Sequence, residues 1–245
     1  MTCRLKIGIH DCCSIVRGDS LDLMGALPDG CVDSVVTDPP YFLPAAHYST
    51  RKVWPRSLGE LGILEGFYKQ FFPQAARVIT KSGVMYCFCD GQSYPVFYAN
   101  GYASFKSQRP LIWDKLVSFN GFSWRHQHEL ILFAVKHESE NVPTGDGDIL
   151  RFRVVPIEKR EHPAEKPIDL MAALISKSIP SGGTVLDPFT GAGSTLMAAK
   201  KLGRHFLGFE ISEEYFAIAQ RRIESVEVDG TNKIWQLPLN EQKGS

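Results

Sequence analysis

Short apolar runs bounded by glycine, proline or aspartate alternate along this chain with longer stretches whose apolar residues recur every three or four positions. The runs Ser14–Val16, Val32–Thr37, Val84–Cys89, Pro110–Asp114, Leu130–Val135, Thr184–Leu186 and His205–Phe209 predict strands. The periodic stretches predict helices at Leu21–Leu27, at Glu60–Thr80 and at Tyr94–Asn100; in the second, Phe67, Phe71, Ala75 and Val78 form one stripe. Lys81-Ser82-Gly83 reads as the end of that second helix and Gly101 as the end of the third. Pro167 suits the first turn of a helix that stops before Pro180. Ser194–Leu202 is followed by Gly203, a residue suited to a helix C-terminus. Ser212 caps a last helix to Ser225, with Glu213 and Glu214 at its positive end. The stretch 137–161 is the least regular, with a strand-like piece at Leu150–Ile157. The alternation predicts an α/β fold: a mostly parallel sheet with helices on its faces.

The length, 245 residues, suits one large domain or one domain with an insertion. No apolar run is long enough to span a bilayer, and Met1-Thr2-Cys3-Arg4-Leu5-Lys6 lacks a signal-peptide core, so a soluble, cytoplasmic protein is expected. The six cysteines show no C-x-x-C pairing; Cys31, Cys87 and Cys89 lie in strand-like runs as buried thiols, and no metal site is expected. Net charge is zero, which argues mildly against a nucleic-acid binder. The charge is segregated, however. Arg51, Lys52 and Arg56 flank Trp54; Lys106, Arg109, Lys115 and Arg125 form a second group; Arg151, Arg153, Lys159 and Arg160 form a third. A basic face and an ordinary solvated surface both fit these clusters.

Two turns carry the chemistry. Asp38-Pro39-Pro40-Tyr41 follows the strand Val32–Thr37, and Asp187-Pro188-Phe189-Thr190-Gly191-Ala192-Gly193-Ser194-Thr195 follows Thr184–Leu186. In the second, Gly191 and Gly193 permit a close approach of backbone to a ligand. No lysine precedes Ser194-Thr195, which disfavours a nucleoside triphosphate, and the G-x-G-x-x-G of a dinucleotide site is absent. Glu210 closes the next strand, where a carboxylate can hold two ribose hydroxyls. A purely structural strand-to-helix turn is the competing reading.

Four signals stand in order: Asp38–Tyr41, His162-Pro163-Ala164-Glu165-Lys166-Pro167, Asp187–Thr195 and Gly208-Phe209-Glu210. Together they resemble the DNA amino-methyltransferases of the circularly permuted (beta) class, in which the catalytic motif precedes the cofactor motif. The likeness runs from Ile15 to Ile223. It implies a Rossmann-like methyltransferase fold, S-adenosylmethionine as cofactor and DNA as partner. It also implies one domain over 1–230, with a catalytic half 14–136, a short recognition-like insert 137–161, a cofactor half 162–225, and a tail 231–245.

By the resemblance, Asp187, Phe189, Gly191 and Gly193 line the cofactor pocket, Ser194 and Thr195 hold the methionine carboxylate, and Glu210 holds the ribose. Lys166 meets the methionine end, Asp19 lies near the adenine, and Asp38 borders both ligands. In the catalytic turn an exocyclic base amine is a poor nucleophile, because its lone pair is delocalised into the ring. Asp38 can accept one N–H and the Pro39 carbonyl the other, Pro40 stiffens the turn, and Tyr41 offers a face for stacking, worth about 1–3 kcal/mol per base. A duplex base must be flipped out to reach such a pocket. Tyr48, Arg51, Lys52, Trp54, Arg56, Phe119, Phe122, Trp124 and Arg125 are candidate DNA contacts, with local packing as the alternative for the aromatics. His128-Glu129 resembles a family feature; neither is expected to be catalytic, and a structural histidine is the reading.

Methylation at cytosine C5 needs a cysteine, usually after proline, and no Pro-Cys pair occurs. In family terms Asp38, where some members have serine, favours adenine N6 over cytosine N4. The short interval 136–161 predicts a short or relaxed recognition sequence, or specificity lent by a partner; a homodimer is left open. RNA as substrate, a non-catalytic DNA-binding subunit and a small-molecule methyltransferase are the remaining alternatives.

Overall fold

The computed structural model describes residues 5–40, 61–117, 124–137 and 145–227, side chains 61–64 excepted. The strands are β1 (Lys6–Ile7), β2 (His10–Asp11), β3 (Ser14–Arg17), β4 (Val32–Thr37), β5 (Ile79–Cys89), β6 (Ser107–Asp114), β7 (His128–Val135), β8 (Ile149–Arg151), β9 (Thr184–Asp187) and β10 (His205–Glu210). The helices are α1 (Ser20–Gly25), α2 (Leu61–Val78), α3 (Tyr94–Tyr102), α4 (Ile168–Ser178), α5 (Ser194–Lys201) and α6 (Glu213–Ser225). β1 and β2 pair antiparallel with each other. The other eight strands form one sheet in the order β3-β10-β9-β4-β5-β7-β6-β8. From β3 to β5 every pairing is parallel. β7 is inserted antiparallel between β5 and β6, and β8 pairs parallel to β6.

Alternation along each central strand divides the core into two layers. In β5, Met85, Cys87 and Cys89 face a cluster shared with Met24 of α1, Tyr68, Phe71, Phe72 and Ala75 of α2, and Phe97 of α3. Val84, Tyr86 and Phe88 face the opposite cluster with Leu170, Leu174 and Ile175 of α4, Leu196 of α5, and Ala219 and Ile223 of α6. Helices thus cover both faces, in a Rossmann-like arrangement. Among the described residues no helix is long and apolar enough to cross a membrane.

Three local expectations are corrected. Lys81-Ser82-Gly83 does not end a helix: α2 stops at Val78 and β5 begins at Ile79. The register jumps from Val32↔Ile79 to Ser34↔Val84, so 80–83 form a bulge on β5. Gly101 lies inside α3 rather than after it, with Gln108 packed where a side chain would stand. The expected strand Leu150–Ile157 shrinks to β8 and a single 3-10 turn at Ile157–Lys159.

Candidate active site

Four neighbouring parallel strands, β3, β10, β9 and β4, each deliver one carboxylate at or just past the C-terminal end: Asp19, Glu210, Asp187 and Asp38. That edge is where open α/β sheets bind ligands. A cavity of about 460 Å3 opens there, of the size that takes a nucleoside-sized molecule. Its wall includes all four carboxylates together with Lys166, Phe189, Gly191, Ser194 and Thr195.

Asp38 and Asp187 sit side by side because β4 and β9 pair directly. Thr37 Oγ1 donates to Asp187 Oδ1 at 2.7 Å, joining positions 150 residues apart in the chain. Burial pushes the Asp187 carboxyl up to about 6, against hydrogen bonds from Thr37 and Thr195. Asp187 Oδ1 also accepts the Phe189 N–H at 3.1 Å, which shapes the turn. Gly191, at φ 51°, donates its N–H to Glu210 Oε2 at 2.8 Å, while Ser212 donates to Glu210 Oε1 at 2.8 Å. Glu210 is thereby aimed by two backbone donors; burial raises its pKa above the usual range. Asp19 caps α1, its Oδ1 accepting from Leu21 and Asp22.

The residue that organises the catalytic turn is Lys166. Its ammonium is 2.5 Å from Asp38 Oδ2 and 3.0 Å from Glu129 Oε1. Glu129, buried, also meets Lys115 at 2.9 Å. Burial alone would raise Glu129, but Lys166 and Lys115 outweigh it and hold it below the usual range. Burial likewise works against the Lys166 ammonium, yet Asp38 and Glu129 keep its pKa above normal. Asp38 is pushed up to about 6, by burial first, with Lys166 opposing and Glu129 assisting. The Asp38 Oδ1 atom is buried without a hydrogen-bond partner among the described residues. Pro40 is held by the Tyr68 hydroxyl, which donates to its carbonyl.

The segment before α4 is tied to α6. Arg222 reaches Glu165 at 2.5 Å and the Ala192 carbonyl at 2.9 Å. His162 Nδ1 accepts the Ala164 N–H at 3.1 Å, and its ring meets Tyr215 edge-on at 4.3 Å between centroids. Burial and the nearby Lys166 lower His162 to about 4, so the ring is neutral at ordinary pH.

The structure gathers nearly the whole predicted cofactor set around one cavity. Gly193 is the exception: it is not among the residues of the wall, and at φ 88° a β-carbon there would meet Ala219 and Ile223 of α6. Lys166 lines the cavity, but its charge is spent on Asp38 and Glu129. His128 is exposed, so a structural histidine is not what the motif supplies; its neighbour Glu129 is the buried member. Lys115 is turned inward and does not join a surface cluster. Trp124 and Arg125 are exposed, Trp124 by 91%. Tyr41, Tyr48, Arg51, Lys52, Trp54, Arg56, Phe119, Phe122 and the tail after 227 lie outside the described residues. Sequence reasoning named Glu129 and His162 within motifs but gave neither a place in the site, and it missed Tyr215. An acid directly before the apolar run Leu130–Val135 was the available signal for Glu129.

A family model described as DNA methylase, of the N6/N4 type, matches residues 32–221. The chain belongs to the N6/N4 DNA methylase family. YubD of Escherichia coli strain K12, which carries the name of a methylase, is 26% identical over 228 residues, covering 91% of this chain and 97% of that protein. The type II methyltransferase M2.MboI of Moraxella bovis is 25% identical over 243 residues, covering 87% and 88%. The crystal structure of the M1.HpyAVI–SAM complex has the same fold, with a TM-score of 0.66, 23% identity, and coverage of 86% of this chain and 98% of that one. The methylase is therefore an S-adenosylmethionine-dependent enzyme acting on DNA amino groups. The cavity fits that cofactor in kind. Carboxylates suit its cationic and hydroxyl groups, a helix N-terminus at Ser194-Thr195 suits its carboxylate, and Phe189 supplies an apolar wall.

Proposed function

We propose that this methylase modifies the exocyclic N6 amine of adenine in a flipped-out base, with Asp38 as the catalytic carboxylate. The observation that carries the reading is Asp38 itself. One oxygen is engaged by Lys166; the other is buried and without a partner among the described residues, in a side chain that lines the cavity. A buried acceptor without a donor is costly, so a substrate N–H is the natural complement. Asp38 Oδ1 accepts one amine hydrogen and the Pro39 carbonyl the other. The nitrogen is drawn toward sp3, and the carboxylate stabilises the positive charge that grows on it. Glu129 holds Lys166, and Lys166 holds Asp38, so the accepting oxygen is fixed before the base arrives. When bound, S-adenosylmethionine supplies an electrophilic methyl on a sulfonium.

In this reading Glu210 takes the ribose hydroxyls, Ser194 and Thr195 the methionine carboxylate, Phe189 and Asp19 the adenine region, and Asp187 and Gly191 the floor between them. Tyr41 stacks on the flipped base. The order of the turns, catalytic before cofactor, supports the permuted class and one continuous domain with a short insert. Exposed Trp124 and Arg125 suit contact with distorted DNA, and the short insert suits a short or relaxed site or a specificity partner. Adenine is favoured by Asp38 in place of serine. Cytosine N4 is the second reading, since both amines suit the same turn.

The test is transfer of labelled methyl to mixed-sequence duplex DNA, followed by nucleoside mass spectrometry. N6-methyladenine from the parent, and a loss of at least about a hundredfold in Asp38→Ala with cofactor affinity retained, is expected. N4-methylcytosine would move the assignment to the second reading. Undiminished transfer by Asp38→Ala would remove Asp38 from the chemistry.

A further inference from the structure

At the end of the sheet opposite the cleft, three soft donors converge. Cys12 Sγ lies 3.0 Å from His205 Nδ1 and 3.3 Å from Cys13 Sγ, and Cys13 Sγ lies 3.8 Å from His205 Nδ1. His205 opens β10, and the two cysteines stand just before β3, its sheet neighbour. Adjacent residues of an extended chain send their side chains to opposite faces. Here Cys13 has a φ of 60°, a left-handed conformation uncommon for a residue with a β-carbon and often found at functional positions. The turn is pinned on both sides: Cys12 donates its N–H to Leu5 at 3.0 Å and Cys13 donates to Phe206 at 2.8 Å. Both sulfurs end up on the same side as the imidazole.

We propose that Cys12, Cys13 and His205 form a zinc-binding site that fastens the start of β3 to the start of β10. Two thiolates and an imidazole match the donor preference of zinc, and the two negative charges neutralise the ion. Around a tetrahedral zinc the sulfur–sulfur edge is about 3.8 Å and the sulfur–nitrogen edge about 3.6 Å. The three observed separations depart from these by no more than about 0.6 Å, a shift that side-chain rotation supplies. Cys12 is buried and Cys13 exposed, so an ion would have protein on one side and a water ligand on the other. Binding releases the two thiol protons to solvent, so affinity rises with pH. The absence of C-x-x-C spacing had argued against a metal. The set instead joins adjacent thiols to a histidine 193 positions from Cys12.

The experiment titrates reduced, metal-free protein with zinc against a chromophoric chelator, and with cobalt to read the thiolate charge-transfer band. One ion per chain, the cobalt band, and zinc protection of Cys12 and Cys13 from alkylation are expected. Cys13→Ser changes an exposed side chain, and with His205→Ala it should weaken binding by at least about tenfold while circular dichroism stays unchanged. Stoichiometric binding that survives both substitutions would place the ion on other thiols and overturn the proposal. So would no binding at all, or a Cys12–Cys13 disulfide forming in a protein whose reduced form takes up no zinc.

Discussion

The two oxygens of Asp38 have different environments, and that difference sets the pH behaviour of the site. Burial raises the carboxyl to about 6 despite Lys166 beside it. The group is ionised and able to accept an amine hydrogen above that pH, and protonated below it. Catalytic efficiency should therefore fall as pH drops through about 6, read as the acid limb of a kcat/KM profile. Glu129 is one cause of the raised value, so Glu129→Gln should move that limb to lower pH. A limb that moves upward would contradict the arrangement. Asp38 was legible in the sequence because Asp-Pro-Pro-Tyr is a compact local signal. Glu129 was not, because its role comes from a lysine 37 positions away that only the folded chain brings within 3.0 Å.

At the scale of elements, glycine is the residue whose meaning the sequence leaves open. Gly83 reads as a helix stop, yet in the fold it lets β5 lie against the Asp33 carbonyl and Ile79. Gly101 reads the same way and instead makes room for Gln108. Turn and close approach use the same residue for different reasons, and local pattern does not separate them. Gly208 in β10 is a close approach of the second kind, since a β-carbon there would strike Leu196 and Thr190. Gly208→Ala should cost about 1–3 kcal/mol in chemical denaturation and weaken cofactor binding, because α5 and the 187–195 turn must shift. Gly25, with open space around it in α1, offers the contrast. Gly25→Ala should be neutral or stabilising by about 0.5–1 kcal/mol. Seven of the strands, β3 to β7, β9 and β10, were readable from apolar runs; the two-residue β1 and β2 were not. The antiparallel insertion of β7 between β5 and β6 was not, since a buried strand shows the same pattern whichever way its neighbour runs.

Across the whole molecule, the site is assembled from distant parts of the chain, and Thr37–Asp187 is one of the bonds that join them, beside Lys166–Asp38 and the pairing of β4 with β9. Thr37→Val removes a donor to a buried carboxylate, which should cost about 1–3 kcal/mol of stability. It should also raise the Asp187 carboxyl further, since that bond holds it down. Cofactor affinity, followed by calorimetry, should then fall off at a higher pH than in the parent. The order of motifs in the sequence indicated that the halves must meet. The particular contact was invisible, because nothing local links a threonine to an aspartate 150 residues later. The pairing of β4 with β9 has a consequence for how this protein is made. β4 and β5 both precede β9 in the chain by about a hundred residues or more, so during synthesis the edge of β4 that pairs with β9 has no such partner until β9 leaves the ribosome. An apolar strand with unpaired amides invites other chains. Fragments ending before Thr184 should aggregate when expressed, and a cell making this enzyme has reason to keep a chaperone close to the half-finished chain.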